Sequence, residues 1–181
     1  PKLLLIGEPT SCQAGVAQKG CIWLKLSVSG KTSHGAEPWQ GINALEQGFG
    51  LLADLREELM REEHPVLGRS TLQITMAEGG IAPNMTPDRA QFLADIRIVP
   101  PLNEKEVLNR LECLIEKRCE VYNGGLSFTP EISNYRMPVE TGPENQWLHR
   151  LKGFIGDNAG ETGINYFTDA SIFLTAWPDS P

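Results

Sequence analysis

Several features that define other protein classes are absent from these 181 residues. No apolar stretch approaches the roughly 18 residues of a membrane-spanning helix, and the first ten residues have neither the charged start nor the cleavage site of a signal peptide. There is no run of Lys or Arg, and the formal charge is -7. Because binding to a phosphate backbone needs concentrated positive charge, we expect neither nucleic acid nor a membrane as a partner.

Cysteine is also scarce, and its spacing follows no metal-binding or disulfide pattern. The four residues contain no CxxC pair. We expect free thiols, buried or partly buried, in a reducing cytoplasm. The four are Cys12, Cys21, Cys113 and Cys119.

The chain has no initial methionine and begins directly on an apolar run, Lys2 to Ile6, that is typical of a buried strand. It ends at Pro181 in a turn-like sequence. We therefore expect a fragment of a longer protein.

The hydrophobic periodicity predicts an α+β fold. Residues 20–29 alternate as a half-buried strand does, and two later stretches alternate in the same way and should pair as antiparallel neighbours. Two segments with helical spacing separate these strands. The order β-α-β-β-α-β is the ferredoxin-like arrangement. The predicted elements are strand 20–29, helix 41–63, strand 70–77, strand 90–99, a helix capped by Asn103, and a strand over LSFTPEI up to Ile132.

The first helix should bury one face, and the second should begin at a cap. Asn103 precedes two glutamates that favour a helix N-terminus. The predicted inner face of the first helix comprises Ile42, Leu45, Phe49, Leu52, Leu55 and Leu59.

The residues outside this unit do not form a second complete one. The amino-terminal flank supplies a strand and a loop, and the carboxyl-terminal flank supplies a helix at 146–155 and a Gly-rich loop. We expect residues 19–133 to be a ferredoxin-like domain inserted into an α/β domain, whose partial segments are residues 1–18 and 134–181.

His34 lies in the loop GKTSHGAEP between the first strand and the first helix. The backbone around it contains Gly30 and Gly35, which permit geometry that a side chain would block, and Pro38, which stiffens the end of the loop. The imidazole ring should therefore be held in one orientation. A positioned imidazole can do polar chemistry. The alternative is a solvated loop histidine.

Other polar residues could serve a site. Glu8 follows the first apolar run, at the strand end where carboxylates often bind metals or act as acids and bases; the alternative is a capping or surface glutamate. Asn84 and Arg97 could grip a carboxylate, although Asn84 could only shape a turn and Arg97 could pair with Asp95. The TDAS sequence, which contains Thr168 and Asp169, indicates a polar binding loop only weakly.

Four stretches together resemble the di-zinc amidohydrolase and exopeptidase family, in that family's order and over nearly the whole chain. They are GEPT, KGCIWLKLSVSGKTSHGAEPWQGINA, GGIAPNMTPDRAQFLADIR and GINYFTDASIF.

The resemblance implies a role for each candidate residue. Glu8 is implied to ligate one of two metal ions, zinc or alternatively Co or Mn, and residues 19–133 to be a lid that pairs two subunits into a homodimer. His34 would donate a hydrogen bond to the oxyanion in the partner's active site. Asn84 and Arg97 would contact the substrate's carboxylate-bearing part, and Thr168 and Asp169 would line the substrate pocket.

The sequence differs from the family pattern in lacking most of the metal-binding residues. The HxDxxP motif, the paired glutamates and the late histidine that complete the family's metal site are absent from the sequence. One carboxylate cannot hold two zinc ions, which need roughly four ligands each. We expect no metal to be bound and no activity in the isolated chain.

The sequence thus predicts part of a metal-dependent hydrolase that removes an N-acyl group from an amino acid, of the deacetylase or desuccinylase type. Its metal would activate a water that attacks the amide carbonyl. The alternatives are a dipeptidase or carboxypeptidase of the same family, and a non-catalytic ferredoxin-like dimerisation module.

Overall fold

The computed structural model describes residues 3–156 and 160–177. Nine strands, four α-helices and a short 3₁₀ helix (Pro38–Gln40) occur in this part of the chain. In chain order they are β1 (Ala14–Gln18), β2 (Gly20–Ser29), α1 (Ala44–Leu59), β3 (Glu63–His64), β4 (Gly68–Arg69), β5 (Thr71–Gly79), β6 (Arg89–Ile98), α2 (Glu104–Glu120), β7 (Ser127–Arg136), β8 (Val139–Glu140), α3 (Gln146–Ile155), β9 (Glu161–Ile164) and α4 (Ala170–Ala176).

A four-stranded antiparallel sheet forms the larger unit, with the strand order β5-β6-β2-β7. Helix α1 lies between β2 and β5 in the chain, and α2 lies between β6 and β7. This is the β-α-β-β-α-β succession that the sequence predicts, with the addition of the small β3-β4 hairpin. The predicted α+β class is confirmed.

Alternating residues of β2 and β6 build the core of this unit. Phe92, Ile96 and Ile98 on β6 are almost fully buried, as their register predicts. They pack with the even-numbered residues of β2 and with both helices. The opposite face of the sheet, which carries Cys21 and Arg97, has no helix of its own unit against it.

Both helices of this unit begin at asparagine caps. Asn103 caps α2, as predicted, and it does so in a full capping box with Glu106. Helix α1 is shorter than the predicted 41–63, because Asn43 accepts hydrogen bonds from two backbone N–H groups and so sets the N-terminus there. Leu52, Leu55 and Leu59 are buried. Phe49 is 46% exposed, but its ring packs edge-to-face against the core residue Phe92 at a centroid distance of 5.0 Å, so it lies at the edge of the predicted inner face.

A second, three-stranded sheet joins the two ends of the chain. Strand β1 pairs in parallel with β9 and antiparallel with β8. The predicted strand at Lys2–Ile6 is wrong for residues 3–6, which have no regular structure; Lys2 lies outside the described residues. Residues 3–6 pair with no strand in the described part of the chain, and Leu5 is 67% exposed. Glu8 therefore does not follow a strand.

The β3-β4 hairpin contacts both sheets. The Nζ atom of Lys19, which lies between β1 and β2, donates to the backbone oxygen of Arg69 over 2.7 Å. Leu67 packs in a small cluster with residues from both units. His64 is buried, and its Nε2 lies 3.2 Å from Oε1 of Glu140 on β8. These contacts connect the two sheets close to Lys19, where the chain passes from one sheet to the other.

The four cysteines are free thiols. Cys21 is buried and Cys119 partly buried, whereas Cys12 and Cys113 are exposed, so the prediction of burial fails for the latter two. No helix in residues 3–156 or 160–177 combines the length and the apolar character that crossing a membrane requires.

Candidate functional site

The loop that carries His34 is held against the loop between β5 and β6. The N–H of Gly35 donates to the backbone oxygen of Asn84 over 2.8 Å, and the N–H of Thr86 donates to the oxygen of Ser33 over 2.9 Å. The hydroxyls of Ser33 and Thr86 are 2.8 Å apart. The two loops therefore form one surface, and the backbone around His34 is fixed by hydrogen bonds.

His34 itself is exposed, and its Nδ1 atom is occupied. Nδ1 accepts a hydrogen bond from the N–H of Ala36 over 3.1 Å. In a neutral imidazole one nitrogen accepts and the other donates. The proton of the neutral ring is therefore on Nε2, which can donate to a group outside this loop.

Asn84 lies beside His34, because Met85 forms an isolated antiparallel bridge with His34. Its side chain is exposed. The structure thus brings together two of the predicted site residues that are 50 positions apart in the chain.

Arg97 lies at the other end of the sheet. It lies eight positions along β6 from Arg89, which is next to the His34 loop, and at the rise of a strand this is about 26 Å. Its Nε and Nη2 atoms donate to Asp95 over 2.6 and 2.9 Å. The alternative that the sequence left open, a pair with Asp95, is therefore present. This hydrogen bond is the main cause that raises the pKa of Arg97.

The guanidinium of Arg97 also lies 5.6 Å from the ring centroid of Phe167. Phe167 is flanked by Tyr166, which contacts Glu8, and by Thr168. Through these consecutive residues, Arg97, Glu8 and Thr168 belong to one region.

Glu8 accepts a hydrogen bond from the hydroxyl of Tyr166 over 3.2 Å. Desolvation, the hydrogen bond and the negative charge of Glu8 raise the pKa of Tyr166, so the phenol stays protonated and can donate. Sequence reasoning missed Tyr166; its position directly before the TDAS segment was the available signal.

The metal-ligating role predicted for Glu8 needs partners. No three His, Cys, Asp or Glu side chains within the described ranges, 3–156 and 160–177, lie close enough to hold a metal ion. Since each zinc ion needs roughly four ligands, these residues do not fit a two-metal site by themselves.

Thr168 is buried, and its polar atoms form hydrogen bonds to other residues of the protein. Its N–H and hydroxyl both bond to Oε1 of Gln18, and its hydroxyl oxygen accepts from the N–H of Ala170 over 3.1 Å. Gln18 in turn donates to the hydroxyl of Ser171 over 2.7 Å. Asp169, in contrast, is exposed and makes no capping hydrogen bond at α4. A polar Gln18 at the end of an otherwise apolar strand was the missed signal for this network.

A cleft of about 510 Å³ lies beside this network. Its lining includes Glu8, Gln18 and Thr168, together with apolar residues of the segment 4–6 and of α3. Arg97, His34 and Asn84 are not in its wall. The predicted residues therefore form two groups, the distal group (His34 and Asn84) and the junction group (Glu8, Arg97, Thr168 and Asp169).

Comparison with known families gives a match over more than half of the chain. The model described as the peptidase dimerisation domain, M20_dimer, matches residues 16–123. These residues include the last three residues of β1, the four-stranded sheet except for β7, and both helices of that unit.

Individual proteins match nearly the whole chain. An acetylornithine deacetylase of Shigella sonnei (strain Ss046) is 28% identical over 187 residues, which cover 98% of this chain and 47% of the relative. This chain thus spans about half the length of that relative.

Solved structures share the fold at lower identity. A tripeptidase of Staphylococcus aureus superposes with a TM-score of 0.67 at 18% identity, covering 92% of this chain and 43% of the other. Aminopeptidase PepT of Bacillus cereus ATCC 10987 also has a TM-score of 0.67 at 18% identity, covering 96% and 45%.

Proposed function

Because this chain belongs to the M20 peptidase dimerisation family, we propose that it is part of a metal-dependent amidohydrolase that acts as a homodimer. The reaction we propose is removal of an N-acyl group from an amino acid, as in a deacetylase or desuccinylase. Residues 19–133 would be the lid and dimerisation domain. Residues 1–18 and 134–181 would be parts of the catalytic domain; the pairing of β1 with β8 and β9 supports this division.

The dimer proposal rests on the distance between the distal group and the junction group. About 26 Å of strand lies between them, so one subunit cannot bring His34 to its own Glu8 without losing its sheet. A second subunit can supply the missing half. We propose that His34 and Asn84 of one subunit complete the site around Glu8 and Arg97 of the other.

In such a composite site each group has a task that its structure suits. His34 would donate from Nε2 to the oxyanion that forms on the amide carbonyl, since Nδ1 is held by Ala36. Arg97 and Asn84 would bind the substrate's carboxylate-bearing part. Asp169 would line the pocket from the exposed start of α4, and Thr168 would hold that loop in place through Gln18.

Two metal ions per subunit, zinc or alternatively Co or Mn, belong to this proposal. Glu8 would be one ligand, and the remaining ligands would come from residues outside this sequence. The described residues do not complete the metal site by themselves. For the same reason we propose that the isolated chain is inactive. Four free thiols fit a cytoplasmic location.

The edge strand β5 is the surface we propose for dimerisation. The sheet has two edges, and β7 carries Pro130, which cannot donate a backbone hydrogen bond and so blunts that edge. Strand β5 has no proline, and Met76 on it is 63% exposed. Pairing of two β5 strands would extend the sheet across the dimer.

Subunit mixing in the full-length protein tests the composite site. Glu8→Ala and His34→Ala subunits should each be inactive alone. Mixed one to one with full exchange, half of the dimers are heterodimers with one intact site, so about a quarter of the parental activity should return.

A matched control carries both substitutions on one subunit. When this double variant is mixed with parental subunits, both sites of each heterodimer are defective, and activity should fall to about a quarter of the parental value. If His34 instead served its own subunit, the first mixture would stay inactive and the second would keep about half.

A peptidase of the same family is the second candidate, which the tripeptidase and aminopeptidase among the similar structures favour. Assay of the full-length protein with acetylornithine, succinyl-diaminopimelate and di- and tripeptides separates the two. A non-catalytic dimerisation module would cleave none of them.

A further inference from the structure

The β3-β4 hairpin of the larger unit reaches onto the smaller unit, which consists of the three-stranded sheet with α3 and α4. The hairpin follows α1 and leads into β5, yet its turn packs on β9. A Cβ placed on Gly163 would lie 2.8 Å from Cδ2 of Leu67 and 2.8 Å from the backbone oxygen of Val66. Leu67 also packs with Ala17 of β1. The hairpin and the smaller sheet are therefore in close contact.

His64 joins this hairpin to β8, another strand of the smaller sheet. Its Nδ1 accepts hydrogen bonds from the backbone N–H groups of Val66 and Leu67 over 3.2 and 3.1 Å. The proton of the neutral ring is therefore on Nε2, and Nε2 donates to Oε1 of Glu140 over 3.2 Å. The side chain of His64 is 5% exposed and that of Glu140 is 52% exposed. A buried ring of one unit is thus bonded to a carboxylate at the surface of the other.

Two chain crossings connect the two units in the part of the chain that the structure describes. One is at Lys19, between β1 and β2, and the other is at residues 137–138, between β7 and β8. They lie side by side, since a Cβ on Gly20 would be 2.6 Å from the backbone oxygen of Arg136 and 2.7 Å from the nitrogen of Pro138. Adjacent crossings of this kind can act as a hinge, so contacts away from them set the angle between the units.

This angle matters because, in the proposed dimer, His34 of one subunit meets the junction group of the other. The lids are joined to each other, so the angle within each subunit decides where its junction group lies relative to the partner's His34. Over about 26 Å of strand, a rotation of about 5° displaces the far end by about 2 Å. A displacement of about 1 Å can reduce a catalytic rate about a hundredfold.

We propose that His64 and Glu140 are positioning residues, which fix the angle between the two units and thereby the placement of His34 on the reacting amide. This inference rests on the proposed amidohydrolase function and on its composite site. It gives a role to a buried histidine that is not part of that site. Both residues act through His34, and neither contacts the substrate.

The kinetic test uses the full-length protein with N²-acetyl-L-ornithine. Glu140→Ala should lower kcat about tenfold and leave KM within about threefold, because His34 acts in the transition state. Glu140→Gln keeps an acceptor for Nε2 of His64 and should recover most of the loss. Because Glu140 also lines the cleft and His64 does not, His64→Leu is measured beside it and should lower kcat as well. A fall in kcat with Glu140→Ala alone would indicate direct contact with the substrate and contradict the proposal.

A double-mutant cycle with His34 distinguishes positioning from a general loss of stability. In the His34→Ala background, Glu140→Ala should lower kcat no further, because the group that it positions is gone. If the two losses are additive instead, Glu140 acts on something other than His34, and the proposal is wrong.

Glu63→Ala is the matched control on the same hairpin. Glu63 accepts hydrogen bonds from Nε and Nη2 of Arg69 over 3.2 and 3.1 Å, but both residues are exposed and both belong to the larger unit. The kcat of this variant should equal that of the parent. An equal fall with Glu63→Ala and Glu140→Ala would make the stability of the hairpin the cause, and the link between the units would have no role.

A distance measurement separates this inference from the proposed activity. Cys12, before β1, and Cys113, on α2, are exposed, so nitroxide labels on these two thiols report the angle between the units. The full-length protein would carry no other exposed cysteine. Labelled subunits would be diluted with unlabelled ones, so that only distances within one subunit are measured.

Double electron–electron resonance should give the same narrow distance distribution for the parent and for Glu63→Ala. The distribution should broaden or shift in Glu140→Ala and in His64→Leu. If the full-length protein hydrolyses no amide, the proposed function fails, but the distance distributions still decide. An unchanged distribution in Glu140→Ala overturns the positioning role.

Discussion

The backbone N–H of Ala36 donates a hydrogen bond to Nδ1 of His34 over 3.1 Å. This contact assigns the proton of the neutral imidazole to Nε2, so the exposed nitrogen is a donor. A general base would need that nitrogen unprotonated, whereas an oxyanion needs a donor there. The local geometry therefore favours electrostatic stabilisation as the task of His34.

Replacing His34 by Ala in the full-length protein should lower kcat by a factor of about 10² to 10³, the usual cost of losing one oxyanion donor. KM should change little, because the bond strengthens in the transition state. The measurement is steady-state kinetics with metal content determined in parallel, which should stay at the parental level.

His149→Ala provides the control, since His149 is an exposed histidine on α3. It should behave as the parent does. Near-normal turnover of the His34 variant would remove this residue from the mechanism.

Replacing Met76 by Lys should weaken the dimer. The residue lies on the edge strand β5 and is 63% exposed, and in a dimer of paired β5 strands the two introduced lysines would bring like charges into the interface. We expect the dissociation constant from sedimentation velocity to rise about tenfold or more.

Thr129→Lys places the same charge on β7, the opposite edge of the same sheet, where Thr129 is exposed. Its dimer should be as tight as that of the parent. Dissociation by the Thr129 variant alone would assign the interface to β7 instead.

Gly48 is required by the packing of α1 on the sheet. A Cβ at this position would lie 2.1 Å from Cε2 of Phe92, which is 1% exposed. Gly48→Ala should therefore lower the free energy of unfolding by about 1–3 kcal/mol, the range for overpacking a core. Urea denaturation of the chain measures it.

Gly50→Ala is the matched substitution in the same helix. Its Cβ would meet the guanidinium end of the long Arg118 side chain rather than a buried ring. The better helix propensity of alanine should offset that contact, so we expect a change within about 0.5 kcal/mol. A loss equal to that of Gly48→Ala would mean that the packing against Phe92 is not the cause.

The buried thiol of Cys21 should make stability depend on alkaline pH. Burial is the main cause that raises its pKa above the ordinary 9.0. Between the ordinary thiol pKa of the unfolded chain and the raised pKa of the folded chain, the unfolded chain has lost the proton that the folded chain keeps. The free energy of unfolding therefore falls as pH rises through this window. Lys19, whose pKa burial lowers, acts in the opposite direction, so a variant is needed to isolate the thiol.

The free energy of unfolding of Cys21→Ser should therefore fall less than that of the parent between about pH 8 and pH 10. Denaturant titrations at several pH values give the comparison, with Cys12→Ser, at an exposed cysteine, as the control. Parallel curves for the parent and Cys21→Ser would contradict the assignment.

The predictions that succeeded rest on local chemistry. Asn103 starts α2 because its own side chain satisfies the helix N-terminus, and Phe92 and Ile96 are buried because alternation puts them on one face of β6. The apolar pattern of residues 3–6 also predicted a strand, and that prediction was wrong. An apolar run becomes a strand only when a neighbour supplies hydrogen bonds, and periodicity does not reveal the neighbour.

The sequence alone determined the position of His34 in a loop between a strand and a helix, the α+β class and the family resemblance. All of these depend on the order and spacing of residues along the chain. Only the tertiary structure decided that Asn84 joins His34 while Arg97 lies at the far end of the sheet beside Phe167, Arg136 and the Glu8 region. Strand register and sheet order set these distances, and both depend on contacts between residues far apart in the chain.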